Sequence, residues 1–152
     1  MTSDLGRIGS LILHDGMRER ILDRIERMSR PDQGRYAALC AERVLRFTDD
    51  PRAAAAIAAA RAWADGRIRP GVARAAALEA HAAARAASSA AVFACRAAGH
   101  AAATAHVWRH AIGPCDYALK ALATVSVDPE AAIREERRWQ LDLARTMSAP
   151  MP

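Results

Sequence analysis

The sequence predicts an all-α fold, a compact alanine-rich bundle of about six to seven helices. Three observations lead there. Alanine makes up about a quarter of the 152 residues, far above ordinary usage, and it is the strongest helix former because it loses no side-chain entropy. Apolar residues recur at three- and four-residue spacing along most of the chain. Strand patterning is nearly absent. Thr124-Val125-Ser126-Val127 is the one β-prone run, and it is too short to build a sheet.

The elements follow in order. Thr2 to Leu13 reads as a short helix started by Ser3 or Asp4. Gly16 separates it from a clearer helix whose apolar face is Met17, Ile21, Leu22, Ile25 and Met28. Ser29-Arg30-Pro31-Asp32 closes that helix, because a residue before proline disfavours the helical region. The next helix runs from Asp32 to Phe47 on a face of Tyr36, Leu39, Cys40, Val44 and Phe47. Asp50-Pro51 is a cap followed by a first-turn proline, and this helix reaches Asp65, with Gly66 as a left-handed stop. Pro70 or Gly71 opens a further helix to Ala87. Ser88 and Ser89 are candidate caps for a long helix from Ala90 to His110. Gly99 inside it costs about 1 kcal/mol against alanine, so it marks either a close helix crossing or a kink. Gly113-Pro114 breaks the pattern before a helix from Cys115 to Val125. Asp128-Pro129 opens the last helix, with Ile133, Trp139, Leu143 and Met147 on its apolar face.

The length suits one helical domain over residues 1–152. Within it, 1–31 reads as an N-terminal helical extension, 32–147 as the core and 148–152 as a frayed tail. No stretch is apolar enough for a membrane span, and no secretory leader is recognisable. Three cysteines at irregular spacing, Cys40, Cys95 and Cys115, do not make a disulfide framework. The expectation is a cytoplasmic protein.

The formal charge of +5 is unevenly spread. Residues 1–50 carry nine cations against nine carboxylates, 51–128 nine against four, and 129–152 four against four. The surplus therefore sits in the alanine-rich middle. Such a surface attracts nucleic acid, an anionic membrane or an acidic protein. No nucleic-acid-binding motif accompanies it, so it reads first as solvated surface, with nucleic-acid binding kept as an alternative.

Four of the five histidines lie between positions 81 and 110. In an unbroken helix His106 and His110 share a face, and Cys95 lies on the same stripe. His100 points elsewhere. His81 could reach the stripe across a helical hairpin. One reading is a metal site of His81, His106 and His110, with Cys115 as another third ligand. The residues between the two downstream histidines include no glutamate, so the metalloprotease helix motif is absent. The other readings are histidines hydrogen-bonded at helix crossings, or a partner-binding surface. The cysteines lack a placed base and orienting acid, which leaves them as small apolar residues. Asp49-Asp50 reads as a helix cap and Glu135-Glu136 as a solvated helix face. Asp116 and Lys120 are four apart and can pair on one helix face. With Trp108, Arg109 and Tyr117 they form a candidate interaction patch. The sequence nominates no catalytic residue and no cofactor.

The run from Ala97 to Val107 (AAGHAAATAHV), then His110-Ala111, then Tyr117-Ala118-Leu119-Lys120-Ala121, resembles a bacterial family of immunity proteins, described as an immunity-protein-5-like domain of polymorphic toxin systems. The upstream Ala58 to Trp63, Gly66 and Ala80 to Arg85 also fit. The resemblance covers about residues 36–145, and its most specific part is the order His100, His106, His110, Tyr117, Lys120. It implies an all-helical fold and a non-enzymatic role, binding and neutralising a cognate toxin. On that reading the partner-binding candidates are His81, His100, His106, Trp108, Arg109, His110, Asp116, Tyr117 and Lys120. A nuclease inhibitor is expected to be acidic, mimicking nucleic acid. The basic charge here points to an acidic toxin or one with another target.

Overall fold

The computed structural model describes residues 2–150, which form eight α-helices and no strand. They are α1 (Thr2–His14), α2 (Gly16–Glu26), α3 (Arg30–Glu42), α4 (Pro51–Ala64), α5 (Pro70–Ala86), α6 (Ala90–Ala103), α7 (Ile112–Val125) and α8 (Pro129–Met147). Short 3-10 turns lie at Leu45–Phe47 and Trp108–Ala111. The count exceeds the expected six to seven. Every segment set off by a cap or proline signal forms its own helix, the short N-terminal one included. That helix already runs at Thr2, so Ser3 and Asp4 lie within it, and their side chains are outside the described residues. Met151 and Pro152 of the expected frayed tail are also outside them.

The helix starts obey local chemistry. Asp15 accepts from the Arg18 amide at 2.7 Å, Ser29 from Asp32 at 3.2 Å, Asp50 from Arg52 at 3.0 Å and Asp128 from Ala131 at 3.2 Å. Each satisfies an amide that has no partner within its helix. Proline occupies the first turn of α3, α4, α5 and α8, where its missing N–H costs nothing. Gly66, at φ 75°, closes α4. Its amide donates to Trp63 and that of Arg67 to Ala62, the paired bonds of a Schellman stop.

Three boundaries move from their expected places. The helix through Tyr36 stops at Glu42, and Leu45–Phe47 tightens into a 3-10 turn. The helix from Ala90 stops at Ala103 instead of reaching His110. Thr104 Oγ1 turns back to the His100 carbonyl at 3.0 Å, the following amides bond three residues back, and Val107 is extended. Helix α7 starts at Ile112, ahead of Gly113-Pro114, because Pro114 falls in the first turn, where no amide is required. The Ser88-Ser89 cap does not form either. Ser89 stands at the N-cap position with φ 56°, and its side chain makes no capping bond.

Helix α6 is the centre, packed against α3, α4, α5 and α7. It can be surrounded because its buried residues, Ala90, Ala94, Cys95, Ala97, Ala98, Gly99, Ala101 and Ala102, are all small. Ile21, Ile25 and Met28 of α2 join the same core as residues from α3 to α8. All three thiols are free and buried. Cys40 and Cys115 approach to 3.7 Å, and burial pushes the Cys40 thiol pKa well up, so it stays protonated.

Two carboxylates do not stand where the sequence suggested. Asp116 is buried and does not pair with Lys120. It accepts from Arg18 (3.0 Å) and from Arg137 (2.8 Å). Arg137 is itself fully buried, and also donates to Asp15 (3.0 Å), to the Ile12 carbonyl (2.7 Å) and to Gln140 Oε1 (2.9 Å). Glu136, expected on a solvated face, is 5% exposed and forms a two-pronged pair with Arg43 at 2.9 and 3.0 Å. Each displacement has one cause: a neighbouring helix brings a guanidinium over the carboxylate, and periodicity along a single helix contains no such information. Breaking a buried pair from one side leaves a charge unsolvated. Replacing Arg137 with alanine is therefore expected to cost roughly 3–5 kcal/mol in urea unfolding, against under about 0.5 kcal/mol for Arg134→Ala on the exposed side of the same helix.

Candidate functional site

A strip of rings and cations crosses three helices. Helix α5 supplies His81 and Arg85, four apart. Helix α6 supplies Phe93, Arg96 and His100, at spacings of three and four. Helix α7 supplies Tyr117 and Lys120, three apart. These spacings put each set on one face. His110 joins from the 3-10 turn. Apart from exposed Arg85, all of them are half-buried.

Two glycines let the rings in. A Cβ on Gly99 would lie 2.7 Å from His81 Nε2, so the imidazole rests on the bare backbone of α6. A Cβ on Gly113 would lie 2.5 Å from His100 Cγ, so His100 rests on the start of α7 in the same way. Gly99 thus marks a close crossing, the first of the two alternatives its position left open.

The rings then touch in sequence. His81 meets His100 edge to face at 5.2 Å. His100 stacks on Tyr117 at 5.3 Å, and Tyr117 on Phe93 at 6.3 Å. His100 Nδ1 and His110 Nδ1 are 3.2 Å apart. Lys120 Nζ sits 4.9 Å over the Tyr117 ring, a cation–π contact. Arg96 Nη1 lies 2.8 Å from His81 Nδ1. A guanidinium only donates, so His81 Nδ1 must accept, and its proton is on Nε2. Likewise, a bond between the Nδ1 atoms of His100 and His110 needs one protonated and one bare nitrogen.

The surroundings keep these imidazoles neutral. Burial lowers the pKa of His81, and Arg96, Arg85 and His110 add to it. Burial, then His81, His110 and Arg96, lower that of His100 to about 4. Burial, then His106, lower that of His110. Among the described residues no carboxylate acts on any of them in the opposite direction. Between Arg67 and Val127 the only carboxylates are Glu79 and Asp116, and Asp116 is committed to Arg18 and Arg137. Among the described residues, Arg85, Arg96 and Lys120 form no ion pair.

The structure therefore joins five of the nominated residues: His81, His100, His110, Tyr117 and Lys120. It separates the rest. His106 and Arg109 are exposed on the segment after α6, Trp108 packs on the core edge with Arg109 5.2 Å over its ring, and Asp116 is buried on another face of α7. The stripe of Cys95, His106 and His110 does not exist, because α6 ends at Ala103. Cys95 is buried beside Thr48 at 3.6 Å. His81, His106 and His110 thus do not share one face, and among the described residues no group of three His, Cys, Asp or Glu is arranged to hold a metal ion. Phe93, Arg96 and Arg85 escaped notice in the sequence. The signal was there: Phe93 and Arg96 precede His100 by seven and four residues, on its own face.

The chemistry open to this strip is hydrogen bonding and anion attraction. Among the described residues no thiol or hydroxyl stands beside an imidazole that a carboxylate orients. Two outcomes test the geometry. Gly113→Ala drives a methyl into the root of the His100 side chain and is expected to destabilise by roughly 1–3 kcal/mol. Gly99→Ala meets only the tip of the His81 ring, so it is expected to cost less and to displace that ring, seen in its NMR signals. The pH dependence has a definite sign. A histidine unfolds to an ordinary pKa near 6.5, so below that value the unfolded chain binds protons that the folded chain refuses. Stability then rises with pH. It is complete above about pH 6.5 and declines as pH falls toward 4. The melting temperature is expected to drop between pH 7 and 5, and His100→Gln to flatten that drop.

Residues 23–146 match the model of the family described as Imm-5 like putative immunity protein. Comparison with curated proteins and with solved structures gives no significant match. The matched span begins inside α2 and ends in the last turn of α8, so it takes in the whole strip. The chain belongs to the Imm-5 like immunity protein family.

Proposed function

We propose that this protein is a non-enzymatic immunity protein that binds and neutralises a cognate toxin in the cytoplasm, using the α5–α6–α7 strip as its docking face. The observation that carries the reading is the uncompensated charge of that strip. Arg85, Arg96 and Lys120 lie along it with no carboxylate partner among the described residues. Arginines that serve the packing are matched, as in Arg43–Glu136 and Arg137–Asp116; exposed ones such as Arg20, Arg74 and Arg138 form no ion pair among the described residues, but the strip alone sets its unmatched cations beside a run of stacked imidazole and phenol rings. Unmatched arginine beside half-buried aromatic rings is the composition of a protein–protein contact. It also accounts for a basic inhibitor: the toxin surface it covers is acidic. Opposite fields of this kind speed encounter and fix orientation. Among the described residues no helix is long and apolar enough to cross a bilayer.

The test is co-expression with the toxin-domain protein encoded beside this gene. Growth is expected to be rescued. Arg85→Glu with Lys120→Glu is expected to weaken binding by about tenfold or more, the size of effect seen when charges in complementary contacts are reversed. Arg20→Glu, exposed on α2, is expected to leave it intact. Lack of rescue by the unaltered protein sinks the reading.

A further inference from the structure

The place where His81 and Arg96 meet has a chemical peculiarity. A guanidinium donates to a bare imidazole nitrogen at 2.8 Å, while the charged groups facing that pair are all cations or potential cations. On α5 these include Arg85, four residues from His81. On α6 there are Arg96 and His100, and from the 3-10 turn His110. On α7 Tyr117 and Lys120 stand behind His100. Helix α4, packed against both α5 and α6, contains no carboxylate; its Arg52 and Arg61 pair with Asp50 and Glu42, and Glu79, the one carboxylate of α5, lies toward Arg52. A protein folding for itself alone gains little by holding a guanidinium against a neutral imidazole with no anion in reach. The arrangement has two donors waiting: the remaining guanidinium N–H groups and, once Nδ1 gains a proton, the imidazolium.

We infer that the His81–Arg96 pair receives one aspartate or glutamate side chain of the protein partner, and that His81 takes up one proton from solvent as it binds. The step balances simply. The Arg96 to His81 hydrogen bond breaks. One carboxylate oxygen accepts from Arg96, the other accepts from the newly protonated His81 Nδ1, and the anion and the proton together add no net charge. Charge-assisted bonds of this kind are among the strongest available at a surface. His100 and His110 stay a neutral hydrogen-bonded pair behind it, and Gly99 lets the His81 ring lie against α6 with Nδ1 beside Arg96. This inference rests on the docking face proposed above and adds its chemistry.

A nucleic-acid phosphate is the competing anion. The rings argue against it. Single-stranded nucleic acid uses aromatic faces as platforms for bases, whereas here His100, Tyr117 and Phe93 spend theirs on one another. A long duplex contact needs a track of cations, and this strip ends after three.

The probe is an acetylated, amidated hexaglutamate peptide, with hexaglutamine, inorganic phosphate and a short DNA duplex as comparisons. Binding is followed through histidine side-chain NMR, and proton uptake by calorimetry in buffers of different ionisation enthalpy. The expected result is that hexaglutamate alone moves the His81 signals, takes up close to one proton per site, and binds more tightly at pH 6 than at pH 7.5. Arg96→Gln is expected to weaken it by about tenfold, a reasonable loss for one charge-assisted pair. His81→Gln should keep some binding but lose its pH dependence, a result that simple surface charge does not produce. Melting temperatures confirm that both variants fold. Unmoved His81 signals overturn the inference, and so do equal shifts from phosphate or DNA, or undiminished binding by Arg96→Gln. Growth rescue separates the two readings. If the unaltered protein and both variants all rescue equally, the carboxylate site is wrong and the immunity role stands. If the unaltered protein fails to rescue, the immunity role falls whatever the peptide does.

Discussion

Helix α6 can be touched by four other helices because almost nothing projects from it. Its alanines and Gly99 bring neighbouring backbones close, and dispersion between closely spaced atoms replaces the bulky interdigitation of an ordinary core. The same smallness makes the histidine strip. An imidazole laid on a glycine backbone sits lower than one leaning on a side chain, so His81 on Gly99 and His100 on Gly113 are drawn toward the interior yet remain partly open. Gly34, where an added Cβ would lie 2.9 Å from the Trp63 ring, repeats the device between α3 and α4. A chain that stabilises itself through close backbone approach in this way also determines which rings stay half-buried and which cations they lie beside.

Alanine packing is smooth, and smooth surfaces slide. The polar network around Arg137 supplies what they lack. Its guanidinium reaches Asp15 at the α1–α2 junction, Asp116 on α7 and Gln140 on its own helix. Gln140 then donates to the Cys115 carbonyl, and the Tyr36 hydroxyl of α3 donates to the Gln140 carbonyl. One residue thus indexes α1, α2, α3, α7 and α8 against one another. Two arginines and two aspartates balance exactly in charge terms, Arg18 and Arg137 against Asp15 and Asp116. A buried network of this kind adds modestly to net stability, because desolvation offsets much of the attraction. Its role here is register: any slip of α7 along α8 would strand Asp116 without a partner.

Much of this was legible from residue order, and the limits of that legibility are physical. Caps and prolines are local signals, so the starts of α4 and α8 and the Gly66 stop stand where Asp50-Pro51, Asp128-Pro129 and the glycine placed them. The end of α6 was not legible. Thr104 and Val107 are weak helix formers, but only the need to join α7 makes the chain turn there, and with that turn His106 leaves the face on which a continuous helix would put it. Asp116 misled for a related reason. A carboxylate four residues before a lysine looks like a surface pair until another helix delivers Arg137 over it. Arg96 was the reverse case, sharing a face with His100 in plain view but disguised as one arginine among many.

The charge of the molecule is best understood through that distinction between arginines with and without partners. A net +5 says little alone, since solubility accounts for it as well as recognition does. The distribution says more. Where folding needs a cation, as at Arg137 and Arg43, a carboxylate meets it at hydrogen-bond distance. On the α5–α7 strip the cations meet imidazoles and rings instead, and the one carboxylate of α7 is turned inward to serve the core. Burial first, and the neighbouring cations and imidazoles after it, keep the three histidines of the strip from taking up a proton. On the proposed docking face, an acidic group brought by a partner supplies the counter-charge that the strip lacks and that its own fold gives to Arg43 and Arg137.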